Sequence, residues 1–412
     1  MGKNYKNVGG KNMEENGLKI TLLPSIFVNN NGKFMLNKAL NRSGKIAGVC
    51  YNKQGYQALE NEDEEKTNKR IDRTINSGHH SVYDHVSISF NMQNIPKIMA
   101  MIINNEKQYT TSEKSARYTK VEKKGSFITD REIELYSKWL DIFKAKIEDK
   151  YGMILDSGKK EKLAQENARY LVTVFMPTQM IYTTSLRQIN YIASALDKYK
   201  DSLDFSKEFD GRLFYQIEEF NKNLKEANVL DDRLMQNEKN RSISLFGNDI
   251  ELNNDYFDDI YKTSYEGTFA QLAQAQRHRT INYQMERKEN KTYFVPPIIE
   301  DDQALVDEWL NDINSVARVT PQGEKVKISE VGTYDNFILK CKERLCAEAQ
   351  LEVNDQTKKT LTKYKEALEN SNNRKLSEDI QKYTKGARCT FPDYKCSRDC
   401  NFSEAKTLKR KI

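Results

Sequence analysis

The sequence predicts an α+β fold, mostly helical with small mixed or antiparallel sheets, built as two tandem halves. Three observations lead there. Apolar residues recur at spacings of three and four through 130–150, 160–176 and 184–197, and 57–76 forms a charged amphipathic stretch ending at Gly78. Strand-like runs are short and few: 18–23, 85–91 with Val86, Ile88 and Phe90 alternating, and 291–295. Finally, Leu135, Trp139, Leu140 and Asp141 recur as Leu305, Trp309, Leu310 and Asn311, an echo that contains both tryptophans of the chain.

Each element has a local reason. Pro177 is expected to stop the 160–176 helix, because its ring removes a donor and clashes with the preceding turn. The polar, charge-rich segment 228–242 marks the expected boundary. The division is therefore a first half over 1–235, a second over 236–385, and a cysteine-containing basic tail over 386–412.

The 412 residues exceed the need of one typical domain. With 38% hydrophobic and 31% charged residues, the chain can bury real cores beneath a heavily charged surface. No apolar run approaches bilayer-spanning length, and the polar start lacks a signal-peptide stretch, so the chain reads as soluble and cytoplasmic. The net charge of +6 arises from 66 basic against 60 acidic residues, which disfavours a nucleic-acid partner. Only Lys406, Lys409, Arg410 and Lys411 cluster, and a solvated tail accounts for them.

Four histidines fall in two places, His79, His80 and His85 within Gly78–His85 and His278 within Arg277-His278-Arg279. The first cluster lies at a helix-to-strand passage with one acidic neighbour, a poor arrangement for a metal. The Arg-His-Arg triplet suits a basic helix C-terminus, and equally the pyrophosphate of a dinucleotide, since guanidinium forks pair bidentately with phosphate. Glu113-Lys114-Ser115-Ala116-Arg117-Tyr118 can converge backbone, hydroxyl and guanidinium on one phosphate, or form a solvated turn. Arg344 followed by Ala349-Gln350 fits an ordinary amphipathic helix. Cys389, Cys396 and Cys400, with Cys341 or Cys346 nearby in space, suggest a zinc or iron–sulfur site, against a plain reading of reduced thiols.

Together these pieces resemble the flavin-dependent thymidylate synthase family. Gly78–His85 is similar to its Gly-His-x-Ser-x-x-Glu-His element, with Asp84 in place of Glu. Ser112–Tyr118 resembles its substrate loop, and Ala168-Arg169 and Arg187 its later helices. The likeness then restarts: Gln274 and Arg277–Arg279 resemble the flavin triplet, Tyr293–Pro297 the following strand, and Arg344, Ala349 and Gln350 the substrate arginine and its sequel. The first pass has Asn105, Glu106 and Lys107 at the triplet position, and the second has Met285, Arg287 and Glu289 at the substrate loop. Each half lacks what the other keeps, so a fused, asymmetrically diverged pair retaining one site is expected.

The resemblance implies transfer of a one-carbon unit from methylenetetrahydrofolate to C5 of dUMP, giving dTMP, with FAD as cofactor and NADPH as reductant. It implies that Arg344 and Glu113 are catalytic and that Ser115, Arg117, Gln274, Arg344 and Lys327 bind substrate. It places His79, Ser81, His85, Arg187, Arg277, His278 and Arg279 around FAD. A homodimer would restore the family's four-lobed assembly. The alternatives are a dUMP-hydroxymethylating variant and a non-catalytic flavin or nucleotide-binding descendant.

Overall fold

A computed structural model describes residues 17–115, 121, 128–236, 242–247, 254–397, 400 and 402–412. The fold is α+β and mostly helical, with two four-stranded antiparallel sheets. In chain order, its first elements are β1 (Lys19–Leu22), α1 (Leu36–Gly48), α2 (Glu64–Asn76), β2 (Ser87–Pro96), α3 (Lys97–Ile103) and β3 (Thr110–Glu113). Next come α4 (Asp130–Tyr151), α5 (Ser157–Ala168), β4 (Pro177–Ser185), α6 (Leu186–Lys200) and α7 (Glu208–Glu226). The remainder is β5 (Tyr256–Phe257), β6 (Ile260–Thr268), α8 (Phe269–Ala275), β7 (Asn282–Glu286), α9 (Gln303–Ser315), β8 (Lys325–Thr333), α10 (Tyr334–Arg344), α11 (Leu351–Glu369) and α12 (Arg374–Ile380).

The chain forms two compact units that interleave in sequence: one takes residues up to Lys114 and Phe175–Ser244, the other Ser115–Val174 and Leu245–Ile412. The first unit holds the sheet β1-β2-β4-β3. Phe90 and Met92 of β2 and Met180 and Tyr182 of β4 point inward, as period-two alternation requires. Helix α3, Lys-Ile-Met-Ala-Met-Ile-Ile, is buried from Ile98 to Ile103 on every face, so it is a core helix rather than an amphipathic one.

The second unit repeats the strand order as β5-β6-β8-β7. Its core gathers Tyr261, Phe337, Leu345, Leu361, Tyr364, Leu368 and Ile380. Helix α4 enters through a capping box: Thr129 accepts from the Glu132 backbone, and the Glu132 carboxylate accepts from the Thr129 N–H at 2.7 Å. Trp139 on α4 and Trp309 on α9 meet edge to face, with ring centroids 4.9 Å apart at 89°. Nearby, 170–174 and 319–323 run antiparallel through a Thr173–Pro321 bridge, with Val174 N–H donating to Thr320 at 2.9 Å and Gln322 N–H to Val172 at 2.8 Å.

Several sequence expectations change. The 57–76 stretch splits into a short helix, Tyr56–Glu60, and α2, whose N-cap is Asp63. The 160–176 helix ends at Ala168, and Pro177 opens strand β4 instead of stopping a helix. Val172, Thr173 and Val174 lose χ1 freedom in a helix; here Val172 and Val174 find backbone partners in Gln322 and Thr320, and the Thr173 N–H donates to the Glu132 carboxylate. The 291–295 strand reduces to one bridge, Tyr293–Glu324, because Pro296 and Pro297 offer no donors to extend it. The C-terminal segment is not a solvated tail. Phe402, Leu408 and Ile412 are buried, Arg410 is 5% exposed and donates to the Ala349 carbonyl at 2.6 Å, and Lys411 pairs with Glu300 and Asp301. Among the described residues no helix is long and apolar enough to cross a membrane.

Candidate functional site

In the first unit, Gly78 ends α2 with φ of 67°, a left-handed conformation that glycine adopts without a Cβ penalty. The chain then tightens into a 3₁₀ turn, His80–His85. Two buried side chains fasten this turn to α2. His80 Nε2 donates to the Ile75 carbonyl at 2.9 Å, and the Tyr83 hydroxyl meets Thr74 Oγ1 at 2.9 Å. With His80 and Tyr83 inside, the turn exposes His79, Ser81, Asp84 and His85. Asp84 reaches the start of α6, accepting from Ser185 Oγ at 2.5 Å and from Arg187 Nη1 at 2.7 Å. Ser185 also caps α6 by accepting the Gln188 N–H. The replacement of Glu by Asp thus leaves a carboxylate that orients Arg187, so four of the expected cofactor-binding residues share one exposed turn and the adjoining helix start.

Glu113 ends β3, and its carboxylate accepts from Lys97 Nζ at 2.6 Å. Ser115, two residues on, is half-buried and belongs to the second unit. Arg117 lies outside the described residues.

In the second unit, Thr268 caps α8 by accepting from the Gln271 N–H. Gln274 is buried on this helix, and the chain turns just beyond it, with the His278 N–H donating to Ala275 at 3.0 Å. The triplet divides by exposure: His278 is inside, while Arg277 and Arg279 face outward. His278 meets the arginine that ends α10, as Arg344 Nε donates to His278 Nε2 at 2.7 Å. Accepting at Nε2 makes the imidazole neutral with its proton on Nδ1. Burial first, and then the charges of Arg344 and Lys340, hold the His278 pKa down to about 2. Glu343, 3.8 Å away, therefore faces a neutral ring. Asn354 fixes the same corner by donating to the Arg344 carbonyl at 2.7 Å.

Lys327 stands on β8 and pairs with Glu286, its cross-strand neighbour, at 3.3 Å. It is half-exposed, and that pairing is its observed role.

One buried group escaped the sequence reading. Lys340 of α10 and Glu330 of β8 form an ion pair at 2.6 Å, each at most 1% exposed. The same carboxylate accepts from Tyr261 at 3.1 Å and Tyr265 at 2.9 Å. Three hydrogen-bond donors on one buried carboxylate offset its desolvation. The only sequence signal was a glutamate facing inward in a strand, between Ile328 and Gly332.

All six cysteines are thiols rather than disulfides. Cys341 is buried, and burial pushes its thiol pKa well up. Cys389 and Cys396 are exposed and Cys400 half-buried. Among the described residues no group of three or more His, Cys, Asp and Glu side chains is arranged to hold a metal ion.

With this geometry in view, residues 36–198 match the family model described as thymidylate synthase complementing protein. A flavin-dependent thymidylate synthase from Clostridium tetani (strain Massachusetts / E88) is 27% identical over 159 residues, covering 35% of this chain and 64% of that protein. Another from Thermococcus onnurineus (strain NA1) is 20% identical over 142 residues, covering 33% of this chain and 56% of that protein. The chain thus spans less than two thirds of the length of these curated relatives. Among solved structures, a UMP/dUMP methylase, PolB, from Streptomyces cacaoi bound with 5-Br dUMP is similar at 20% identity, with a TM-score of 0.27, over 43% of this chain and 77% of that one. The matched stretch contains the Gly78–His85 turn, Glu113, Ser115, Arg117 and Arg187, whereas Arg277–Arg279 and Arg344 lie beyond it. The likeness to the family described as thymidylate synthase complementing protein thus lies in residues 36–198 of this chain.

Proposed function

We propose that the chain is a flavin-dependent enzyme that transfers a one-carbon unit from methylenetetrahydrofolate to C5 of dUMP, giving dTMP. FAD is its cofactor and NADPH its reductant. The observation that carries this reading is the hydrogen bond from Arg344 to His278. Both residues resemble family site elements, both lie outside the matched stretch, and they are 66 residues apart in sequence. A decayed second half would have no reason to keep them in contact.

The residues present fit a flavin dinucleotide. Exposed Arg277 and Arg279 flank a buried neutral imidazole, an arrangement that offers two forks to a pyrophosphate. Within this reading His79, Ser81, His85, Arg187 and the triplet hold FAD, which when bound supplies hydride. Ser115 and Arg117 take the nucleotide phosphate, with Lys327 as an auxiliary point charge. Gln274 and Arg344 take the pyrimidine, and Glu113 hydrogen-bonds substrate or flavin. Because neutral His278 accepts from Nε, the plane of the Arg344 guanidinium is set before substrate arrives. A fixed cation of this kind stabilises negative charge as it develops on the ring.

We further infer that the chain descends from a tandem pair of family copies, each sheet having the same strand order. In both halves the second strand runs directly into a short buried helix, α3 or α8, and the fourth strand into a longer one, α6 or α10. At the first half's triplet position, Asn105 Nδ2 donates to Ser244 Oγ at 2.7 Å, and Glu106 accepts from the Ser244 N–H at 2.6 Å and its hydroxyl at 2.8 Å. Those residues are committed to the chain's own backbone, which supports one flavin per chain rather than two. A homodimer of this chain would then carry four lobes.

The test is flavin content together with release of tritium from C5-labelled dUMP, with NADPH and methylenetetrahydrofolate supplied. We expect one FAD per chain and release that Arg277→Ala abolishes; a fully active Arg277→Ala protein would sink the proposal. Flavin binding without tritium release would favour the non-catalytic descendant. The mass of the product separates methyl from hydroxymethyl transfer.

A further inference from the structure

Four of the six cysteines converge on one cavity of the second unit. Cys346, from the turn after α10, joins Cys389, Cys396 and Cys400 in lining a cavity of about 620 Å³. The convergence is built by backbone hydrogen bonds rather than by chance proximity of a tail. The Arg388 N–H donates to Leu345 at 2.7 Å, and the Ala387 N–H donates to Lys406 at 2.9 Å. These bonds hold the residue before Cys389 against the residue before Cys346. Gly386 lies so close to the Lys406 carbonyl that a Cβ there would stand 2.7 Å from it. On the far side, Phe402 and Ala405 are buried and anchor the segment that follows Cys400.

The lining carries the charge that a thiolate cluster needs. Lys159, Lys162, Arg388 and Lys406 face two carboxylates, Asp156 and Glu348. The excess of two positive charges matches the net charge of a Zn²⁺ held by four thiolates. Among the described residues no histidine or bulky aromatic lines the cavity.

We propose that Cys346, Cys389, Cys396 and Cys400 bind one structural Zn²⁺, which clamps the C-terminal segment to the turn following Arg344. The four thiols line the cavity without forming a ready-made ligand group among the described residues. Binding draws the sulfurs to about 2.3 Å from the ion in a closed tetrahedral site. Each of the four thiols gives its proton to solvent, no electron moves, and affinity therefore falls with acid. Zinc is favoured over an iron–sulfur cluster because two of the ligands, Cys389 and Cys396, are exposed to oxidation. The inference does not rest on the flavin reading, since it concerns none of the residues assigned there.

The test uses the full chain, purified with reductant from zinc-supplied cells, with metal content measured by mass spectrometry. We expect about one zinc per chain, retained in Cys50→Ser and lost in the Cys389→Ser/Cys400→Ser double variant. Titration of the metal-depleted wild type with Co²⁺ reads the ligand set without any variant. Four thiolates give intense sulfur-to-cobalt charge transfer and tetrahedral d–d bands, and Cys346→Ser should lower the charge-transfer intensity by about a quarter. Wild-type protein that holds neither zinc nor Co²⁺ would overturn the proposal. Iron with visible absorbance would overturn the choice of zinc, and an unaltered Co²⁺ spectrum in Cys346→Ser would overturn the ligand set.

Discussion

Acidification should destabilise the second unit through a single imidazole. His278 is 5% exposed, accepts from Arg344, and has its pKa held down to about 2, against an ordinary value of 6.5 in the unfolded chain. Between those values the unfolded chain binds a proton that the folded one refuses, so stability falls as pH falls. The loss begins near pH 6.5 and continues down to about pH 2. At pH 5.0 it amounts to ~2 kcal/mol, a figure set by the unfolded pKa and almost unchanged for any folded value below ~4. The comparison protein is His278→Gln, whose side-chain oxygen keeps an acceptor for Arg344 and does not titrate. Both tryptophans lie in the second unit and are fully buried, so their fluorescence during urea unfolding reports that unit selectively. Carboxylates titrate alike in both proteins and cancel in the difference. Wild type should lose ~2 kcal/mol more than His278→Gln between pH 7.5 and 5.0. Equal losses within ~0.5 kcal/mol would show that the imidazole is not held neutral, and would remove the basis for a preset Arg344.

Three further outcomes follow from the same unit and the same fluorescence assay. Asp312 accepts from the Trp139 indole at 2.9 Å, from Lys138 at 2.5 Å and from Arg131 at 3.3 Å. Asp312→Ala should cost ~2–4 kcal/mol and Asp312→Asn clearly less, since the amide keeps an acceptor for the indole. Removing residues 402–412 strips four buried apolar side chains and the Arg410–Ala349 bond, so unfolding should come earlier by more than ~4 kcal/mol. Arg287→Ala should leave flavin content and tritium release intact. It should still cost ~1–3 kcal/mol, because Glu324, 1% exposed, loses its 3.0 Å partner and keeps only Lys291 at 3.4 Å.

Much of the helical skeleton was readable from sequence. The 130–150 and 184–197 periodicities became α4 and α6, which the structure shows to start at the caps Thr129 and Ser185. The sheets were harder. Strand β4 carries Met180, Tyr182 and Thr184 inward, but it follows a helix and a proline, where a stop signal masked a strand start. Strand β8 alternates from Lys325 to Ser329 but then buries Glu330, and β6 buries Tyr261 and Thr263, so the hydrophobic alternation breaks off within the strands. At the candidate site the residue types were legible because they cluster in sequence. The contacts that orient them were not, because Asp84–Arg187 and His278–Arg344 join residues 103 and 66 positions apart. The tail misled for a different reason. Arg410 is buried by donating to a main-chain carbonyl, an acceptor that composition cannot reveal.

The tryptophan pair has a consequence for how such a chain can evolve. On the tandem reading Trp139 and Trp309 are counterparts, which in an ancestral symmetric dimer would have met across a two-fold axis. In a symmetric dimer every substitution beside such an axis appears twice, so a change that suits one side must also be tolerated on the other. A single polypeptide is released from that constraint. The pair already shows the result: the Trp139 indole donates to the Asp312 carboxylate, whereas the Trp309 indole donates to the Phe294 carbonyl. The edge-to-face rings and their polar partners both differ between the two sides. On that reading, the proposed division of a phosphate loop on one half and a flavin triplet on the other is the same freedom exercised on chemistry.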